Sequence, residues 1–82
     1  MSIDDIRRSA DEGRCDEALS GAEAAYRRGE RSAELLELLG TLSLIAGRRD
    51  DAARHLRASL YLDPTREAAS IQLAMLTGDR RG

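Results

Sequence analysis

Two side chains in this sequence have types that could do chemistry, Cys15 and His55, and each is the only residue of its kind. A zinc site takes its ligands from several cysteine, histidine and carboxylate side chains, and neither residue has a second sulfur or nitrogen ligand at metal-binding spacing. Nucleophilic catalysis by Cys15 would also require a base and an orienting group nearby. The sequence therefore predicts a free structural thiol and no enzyme activity, no metal and no cofactor.

The basic residues are all arginine, and several stand in adjacent pairs: Arg7 and Arg8, Arg27 and Arg28, Arg48 and Arg49, Arg80 and Arg81. Acidic residues are interleaved among them and the formal net charge is -2, so no sustained positive field is expected. Aromatic residues for stacking bases are also scarce. The sequence predicts no nucleic-acid partner and predicts surface ion pairs at i,i+4 spacing for Asp4 with Arg8, Glu23 with Arg27, and Asp50 with Arg54.

Composition indicates one small all-α domain spanning residues 1–82. Hydrophobic residues make up 41% of the 82 residues and are mainly leucine and alanine, with no tryptophan or phenylalanine. A single cysteine excludes an intrachain disulfide framework. The acidic N-terminus does not resemble a secretory signal, and no apolar run is long enough to span a bilayer. These features predict a cytoplasmic chain that does not bind membranes.

An internal repeat is the most informative feature of the sequence. The segment 13–18, Gly-Arg-Cys-Asp-Glu-Ala, returns 34 residues later at 47–52 as Gly-Arg-Arg-Asp-Asp-Ala. Glycine readily ends a helix in the left-handed conformation, and aspartate is a good cap for the next one. The block therefore predicts two equivalent turns, with Asp16 and Asp50 as the capping residues.

The residues that begin and end helices divide the sequence into five predicted helices. The first predicted helix covers 2–12, with Ser2 and Asp5 forming its cap, and the second covers 16–28. The third runs from a cap at Ser32 to Gly47, and the fourth covers 50–62. The fifth runs from a cap at Thr65 to Thr77 and is closed by Gly78. The third helix is apolar over more than one stripe, so it must be contacted from several sides. Connections of about two to five residues predict antiparallel neighbours.

The period and the residues at 33–66 resemble a tetratricopeptide repeat, a helix-turn-helix unit of 34 residues. The matching positions are Leu36, Leu39, Gly40, Gly47, Ala52, Leu56 and Pro64, while Ser43 and Ser59 depart from the pattern and Glu30 replaces the closing proline of the preceding repeat. The resemblance implies antiparallel hairpins stacked as a short right-handed solenoid of about two and a half repeats. Its divisions are a partial repeat at 1–32, a full repeat at 33–66 and a partial repeat at 67–82.

In this family the first helix of each repeat lines a concave groove that binds a peptide or helix of a partner protein. Carried over to this sequence, the groove comprises Arg7, Glu34, Glu37, Leu38, Thr41, Ile45, Ile71, Gln72 and Met75. Relatives that hold the carboxylate of chaperone tails use lysine and asparagine. Because this chain has no lysine, we expect it not to bind such tails.

The resemblance implies a non-catalytic adaptor or scaffold, and two other functions stay open. The run 60–64 and the residues after it also resemble tetratricopeptide tails of bacterial chemotaxis-receptor glutamate methyltransferases, which implies a regulatory or targeting tail of such an enzyme. A small chaperone for a secreted or polymerising subunit is the other alternative. The fifth helix is apolar on more than one side, and its uncovered face predicts a partner, a homodimer through this helix, or a chain cut from a longer polypeptide.

Overall fold

Five helices and no strand make up residues 2–77, the part of the chain that this computed structural model describes. They are α1 (Ile3–Asp11), α2 (Cys15–Arg27), α3 (Ala33–Ile45), α4 (Arg49–Leu62) and α5 (Glu67–Thr77). The prediction of an all-helical chain with five helices is confirmed. Gly78, the predicted end of α5, and the rest of the run to Gly82 lie outside the described residues.

Serine caps begin α1 and α3, as predicted from the sequence. The Ser2 hydroxyl accepts a hydrogen bond from the backbone N–H of Asp5, and the Asp5 carboxylate accepts one from the Ser2 N–H, both at 3.2 Å. This is a reciprocal capping box with aspartate in the usual place of glutamate. The Ser32 hydroxyl accepts from the N–H of Leu35 at 3.0 Å and begins α3 in the same way.

The repeated sequence block forms a repeated backbone turn. Gly13 and Gly47 both have φ of 83°, in the left-handed region that favours glycine. The residue after each glycine, Arg14 or Arg48, donates its N–H to a carbonyl in the preceding helix at 2.8 Å, and its own carbonyl accepts from the next helix at 2.9 Å. The two turns, 34 residues apart in sequence, therefore share one hydrogen-bond pattern, a Schellman motif that leads directly into a new helix.

The predicted caps at the other helix starts are wrong. Because a single residue separates the glycine from the next helix, Arg14 and Arg48 occupy the cap positions and no side chain caps either helix. Asp16 and Asp50 instead lie in the first turn, where a carboxylate interacts favourably with the helix dipole. Thr65 does not cap α5, because the helix begins two residues later, at Glu67, and the Thr65 hydroxyl instead donates to the Asp63 carboxylate at 2.6 Å.

The predicted i,i+4 ion pairs are also wrong. The structure pairs Arg8 with Asp5 at 3.4 Å, Arg48 with Glu23 at 3.1 Å, and Arg54 with Asp51. Two of these contacts use the i,i+3 neighbour, which lies about as close on a helix surface as the i+4 neighbour. The third contact joins the loop before α4 to α2. Residue spacing along one helix cannot predict a contact between two different elements.

The core lies where α3 is enclosed by the helices on either side. Leu35, Leu36, Leu39 and Leu42 of α3 are all buried, together with apolar residues of α1, α2 and α4. A β-carbon at Gly40 would lie 2.6 Å from Cγ of Leu56, so α3 and α4 approach closely at this glycine. The broad apolar surface of α3 is thus explained, as predicted, by contact from several sides.

Within residues 2–77, helix α5 packs against other helices on one side only. Ala69 is its single fully buried residue, while Ile71 and Met75 are exposed. The helix contacts α4 and, less extensively, α3, and α3 also contacts α1. Helix α3 is thus in contact with both α1 and α5, in a molecule with extents of 40 × 24 × 19 Å.

Candidate functional site

The predicted groove residues lie on α1, α3 and α5, and the structure brings their polar members together in pairs. Arg7 of α1 forms an ion pair with Glu34 of α3, and it also lies 3.6 Å from the Asp4 carboxylate of its own helix. Each of these side chains is substantially exposed. Surface pairs of this kind add little stability, so their main effect is to define which faces of α1 and α3 are adjacent.

Two further contacts join α3 to α5 and the loop before it. The Thr41 hydroxyl donates to the side-chain carbonyl of Gln72 at 2.9 Å. Nε of Arg66 donates to the Glu37 carboxylate at 2.6 Å, and this pair is more buried than the one at α1. Sequence reasoning missed Arg66, which lies 29 positions from Glu37 and outside the helix that supplies the other groove residues of its repeat. All five predicted polar residues are therefore engaged, four of them with one another and Glu37 with Arg66.

The apolar groove residues divide into two groups. Leu38 is half-buried and packs against the core. Ile45, Ile71 and Met75 are 59%, 56% and 66% exposed, and they are three of the five large apolar side chains that are exposed within residues 2–77. The other two, Tyr61 and Leu62, lie at the C-terminal end of α4, outside the predicted groove.

The exposed residues of α5 can be compared with the residues one 34-residue period earlier, on α3. Moved back by one period, Ile71 and Met75 of α5 correspond to Glu37 and Thr41 of α3. The repeat thus tolerates polar residues at these positions, and in α3 it has them. Isoleucine and methionine on α5 are not required by the packing of the helix, since both are mostly exposed.

A cluster that the sequence did not indicate joins α2 to α4. The rings of Tyr26 and His55 meet edge to face with centroids 5.3 Å apart, and the Arg31 guanidinium lies 3.6 Å from the centre of the Tyr26 ring. Burial lowers the pKa of His55 below its usual value of 6.5, and the neighbouring Arg54 lowers it further, against the opposing effects of Asp51 and Glu23. Sequence reasoning did not place Tyr26 and His55 together, because they lie 29 positions apart on different helices, α2 and α4.

The residues considered first for chemistry stand apart from the groove. Cys15, a free thiol at the first position of α2, is half-buried and packs against the core. Among residues 2–77, no group of three or more histidine, cysteine or acidic side chains is placed to hold a metal ion. No helix in this range is long and apolar enough to cross a membrane.

Comparison with known proteins adds no assignment. No family model matches the chain, and neither a curated protein nor a solved structure is significantly similar to it.

Proposed function

We propose that the chain is a tetratricopeptide-type interaction module that binds a peptide or helix of a partner protein along the side formed by α1, α3 and α5. The backbone supports a repeat architecture, because two turns one period apart share the same glycine conformation and hydrogen bonds. The contacts of α3 with both α1 and α5 support a stack in which equivalent helices are neighbours. In this proposal the chain itself catalyses no reaction.

The observation that carries the binding proposal is the exposure of Ile71 and Met75 on α5. Solvent-facing positions of a repeat array are normally polar, whereas α5 has apolar side chains at positions where α3 has Glu37 and Thr41. Ile45 adds a third exposed apolar side chain on the neighbouring helix. An apolar face of a partner helix would cover these side chains.

The polar residues of the groove have a supporting role in this proposal. Arg7 with Glu34, and Thr41 with Gln72, already satisfy each other across the helices. A partner therefore meets a surface whose charges are paired, and its affinity depends mainly on burying the apolar side chains. The paired charges at the edge of this surface then favour one orientation of the partner over others.

The test is differential capture with matched variants. Ile71→Arg places a charge in the proposed contact, and Tyr61→Arg places the same charge at a side chain that is 87% exposed on α4 and lies outside the groove. We expect partners captured from cell extract by the wild-type chain and by Tyr61→Arg to be lost with Ile71→Arg. Both variants should keep the wild-type helicity by circular dichroism, because both positions are exposed.

Two results would contradict the proposal. Loss of the same partners with both variants would show that binding responds to charge and not to the groove. The second result would be self-association, in which a second copy of the chain covers α5, and sedimentation equilibrium distinguishes it from binding of another protein. In that case the wild-type chain would be a dimer that Ile71→Arg converts to a monomer, and no other protein would be captured.

A further inference from the structure

A second surface lies away from the proposed groove and shares no residue with it. A cleft of about 550 Å³ lies between the N-terminal part of α4 and the last residues of α5. It is lined by Arg49, Asp50, Ala53, Arg54, Arg57, Leu76 and Thr77. This cleft was not indicated by the sequence repeat, since the residues that line it come from two different hairpins.

Positive charge is concentrated in the cleft although the chain as a whole is acidic. Three guanidinium groups and one carboxylate line it, whereas the formal net charge of the chain is -2. Arg54 is paired with Asp51, but Arg49 and Arg57 form no ion pair with another residue of 2–77. The side chains at 49, 53 and 57 lie on one face of α4 because residues four apart are neighbours on a helix. The two unpaired charges therefore flank Ala53 on the same face.

The lining indicates which class of anion would bind. A guanidinium group matches a carboxylate with two parallel hydrogen bonds. Ala53 and Leu76 supply an apolar surface between the charges, which a free inorganic anion would not use. No aromatic side chain of residues 2–77 lines the cleft, so this part of the chain offers no platform there for stacking the bases of a nucleic acid.

We propose that this cleft binds an acidic segment of a protein, with one carboxylate at Arg49, a second at Arg57 and an apolar side chain against Ala53 and Leu76. Eight residues along α4 correspond to about 12 Å at 1.5 Å per residue. An extended peptide spans about 13 Å over four residues. The segment that fits has acidic residues four positions apart with an apolar residue midway between them.

Fluorescence anisotropy with a labelled peptide, Gly-Glu-Ser-Leu-Ser-Glu-Gly, tests the inference. The variant with Arg49→Ala and Arg57→Ala should bind this peptide about tenfold more weakly than the wild-type chain, since two exposed charge pairs are lost. The matched control, Arg14→Ala with Arg27→Ala, removes the same charge from α2 and its N-terminal turn. It should change the affinity by less than about twofold. All four arginines are exposed, so circular dichroism should show both double variants folded.

Three companion probes determine what the cleft recognises. Replacing both glutamates of the peptide by glutamine should weaken binding about tenfold, and replacing its leucine by serine should weaken binding by about threefold. Inorganic phosphate should not displace the peptide at concentrations where an unlabelled copy of the peptide does.

The inference would be overturned by equal losses in the two double variants, by displacement with phosphate alone, or by the absence of saturable peptide binding. Tighter, cleft-dependent binding of a labelled oligothymidylate would also overturn it in favour of nucleic acid. Because Ile71→Arg leaves the cleft unchanged, peptide binding by that variant separates failure of this inference from failure of the groove proposal.

Discussion

Helices α3 and α5 begin 34 residues apart in the sequence, and their surroundings differ sharply. Leu39 of α3 is 1% exposed and Gly40 lies against Leu56 of α4, whereas the corresponding Leu73 is half-buried and Ala74 is exposed. The difference arises because α4 covers α3, and no helix follows α5 within residues 2–77. Burial of α3 is thus supplied by the next helix of its hairpin, and α5 leaves apolar side chains exposed within residues 2–77.

The largest expected effect comes from the same substitution made at the two equivalent leucines. Leu39→Ala should lower the free energy of unfolding by about 3 kcal/mol, because it leaves a cavity in an enclosed core. Leu73→Ala should cost about 1 kcal/mol, since this side chain is already partly in contact with water. Urea denaturation followed by circular dichroism at 222 nm measures both.

Equal costs at the two positions would contradict the comparison, because α5 would then be as enclosed as α3. In a domain of this size, about 1 kcal/mol corresponds to a shift of about 4–8 °C in Tm, so thermal unfolding should rank the two variants in the same order. Ala74→Gly, which removes no buried contact, provides a reference for the intrinsic cost of changing α5.

A smaller effect is expected at Gly40. The new β-carbon of Gly40→Ala would meet Cγ and Cδ2 of Leu56 at 2.6 and 2.7 Å, and Leu56 is fully buried and cannot move aside. Overpacking costs about 1–3 kcal/mol, and the better helix propensity of alanine offsets about 1 kcal/mol of it. We therefore expect net destabilisation of about 1 kcal/mol in the same urea assay.

Ala74 of α5 lies 34 residues after Gly40, so the pair of substitutions also tests the repeat. Ala74→Gly should also destabilise, by about 0.5–1 kcal/mol, because glycine is a poor helix former and nothing packs closely there. Glycine would then be favoured in α3 and alanine in α5 at the same place in the period. Stabilisation by Gly40→Ala would show instead that α3 and α4 separate at little cost.

The features predictable from the sequence were those encoded within a few residues. Gly13 and Gly47 ended helices, and Ser2 and Ser32 began them, because each acts on backbone groups up to four residues away. The predicted aspartate caps at Asp16 and Asp50 were wrong, because each helix begins directly after the residue that follows the glycine and its cap position lies two residues earlier. Helix positions were therefore more predictable than the side chains that end them.

The contacts between helices were less predictable. Glu23 was expected to pair with Arg27 on its own helix and pairs with Arg48 instead, because the turn before α4 passes over α2. The family resemblance indicated which helix faces would be adjacent, but not that Thr41 would bond to Gln72 or that Arg66 would reach Glu37. Contact of these residues with a partner stays a prediction.

The smallest expected effect is a change of stability with pH, and it arises where α4 contacts α2 through His55. Within residues 2–77, no similar aromatic contact is made by α5. Burial beside Arg54 lowers the pKa of His55, so the folded chain resists protonation at this ring more than the unfolded chain does. The unfolded state therefore binds more protons between the folded pKa and 6.5, and stability falls as the pH drops below 6.5. Carboxylates contribute little in this window, because they titrate mainly below about pH 5.

Urea denaturation of the wild-type chain and of His55→Gln, at about pH 7.5 and about pH 5.5, measures this linkage. The wild-type midpoint should fall between the two conditions, and the midpoint of His55→Gln should change less, because its side chain does not titrate. A nuclear magnetic resonance titration of the imidazole protons should give a midpoint below 6.5. A midpoint above 6.5 would mean that Asp51 and Glu23 stabilise the charged ring more than burial against Tyr26 disfavours it, and that acid strengthens this junction instead of weakening it.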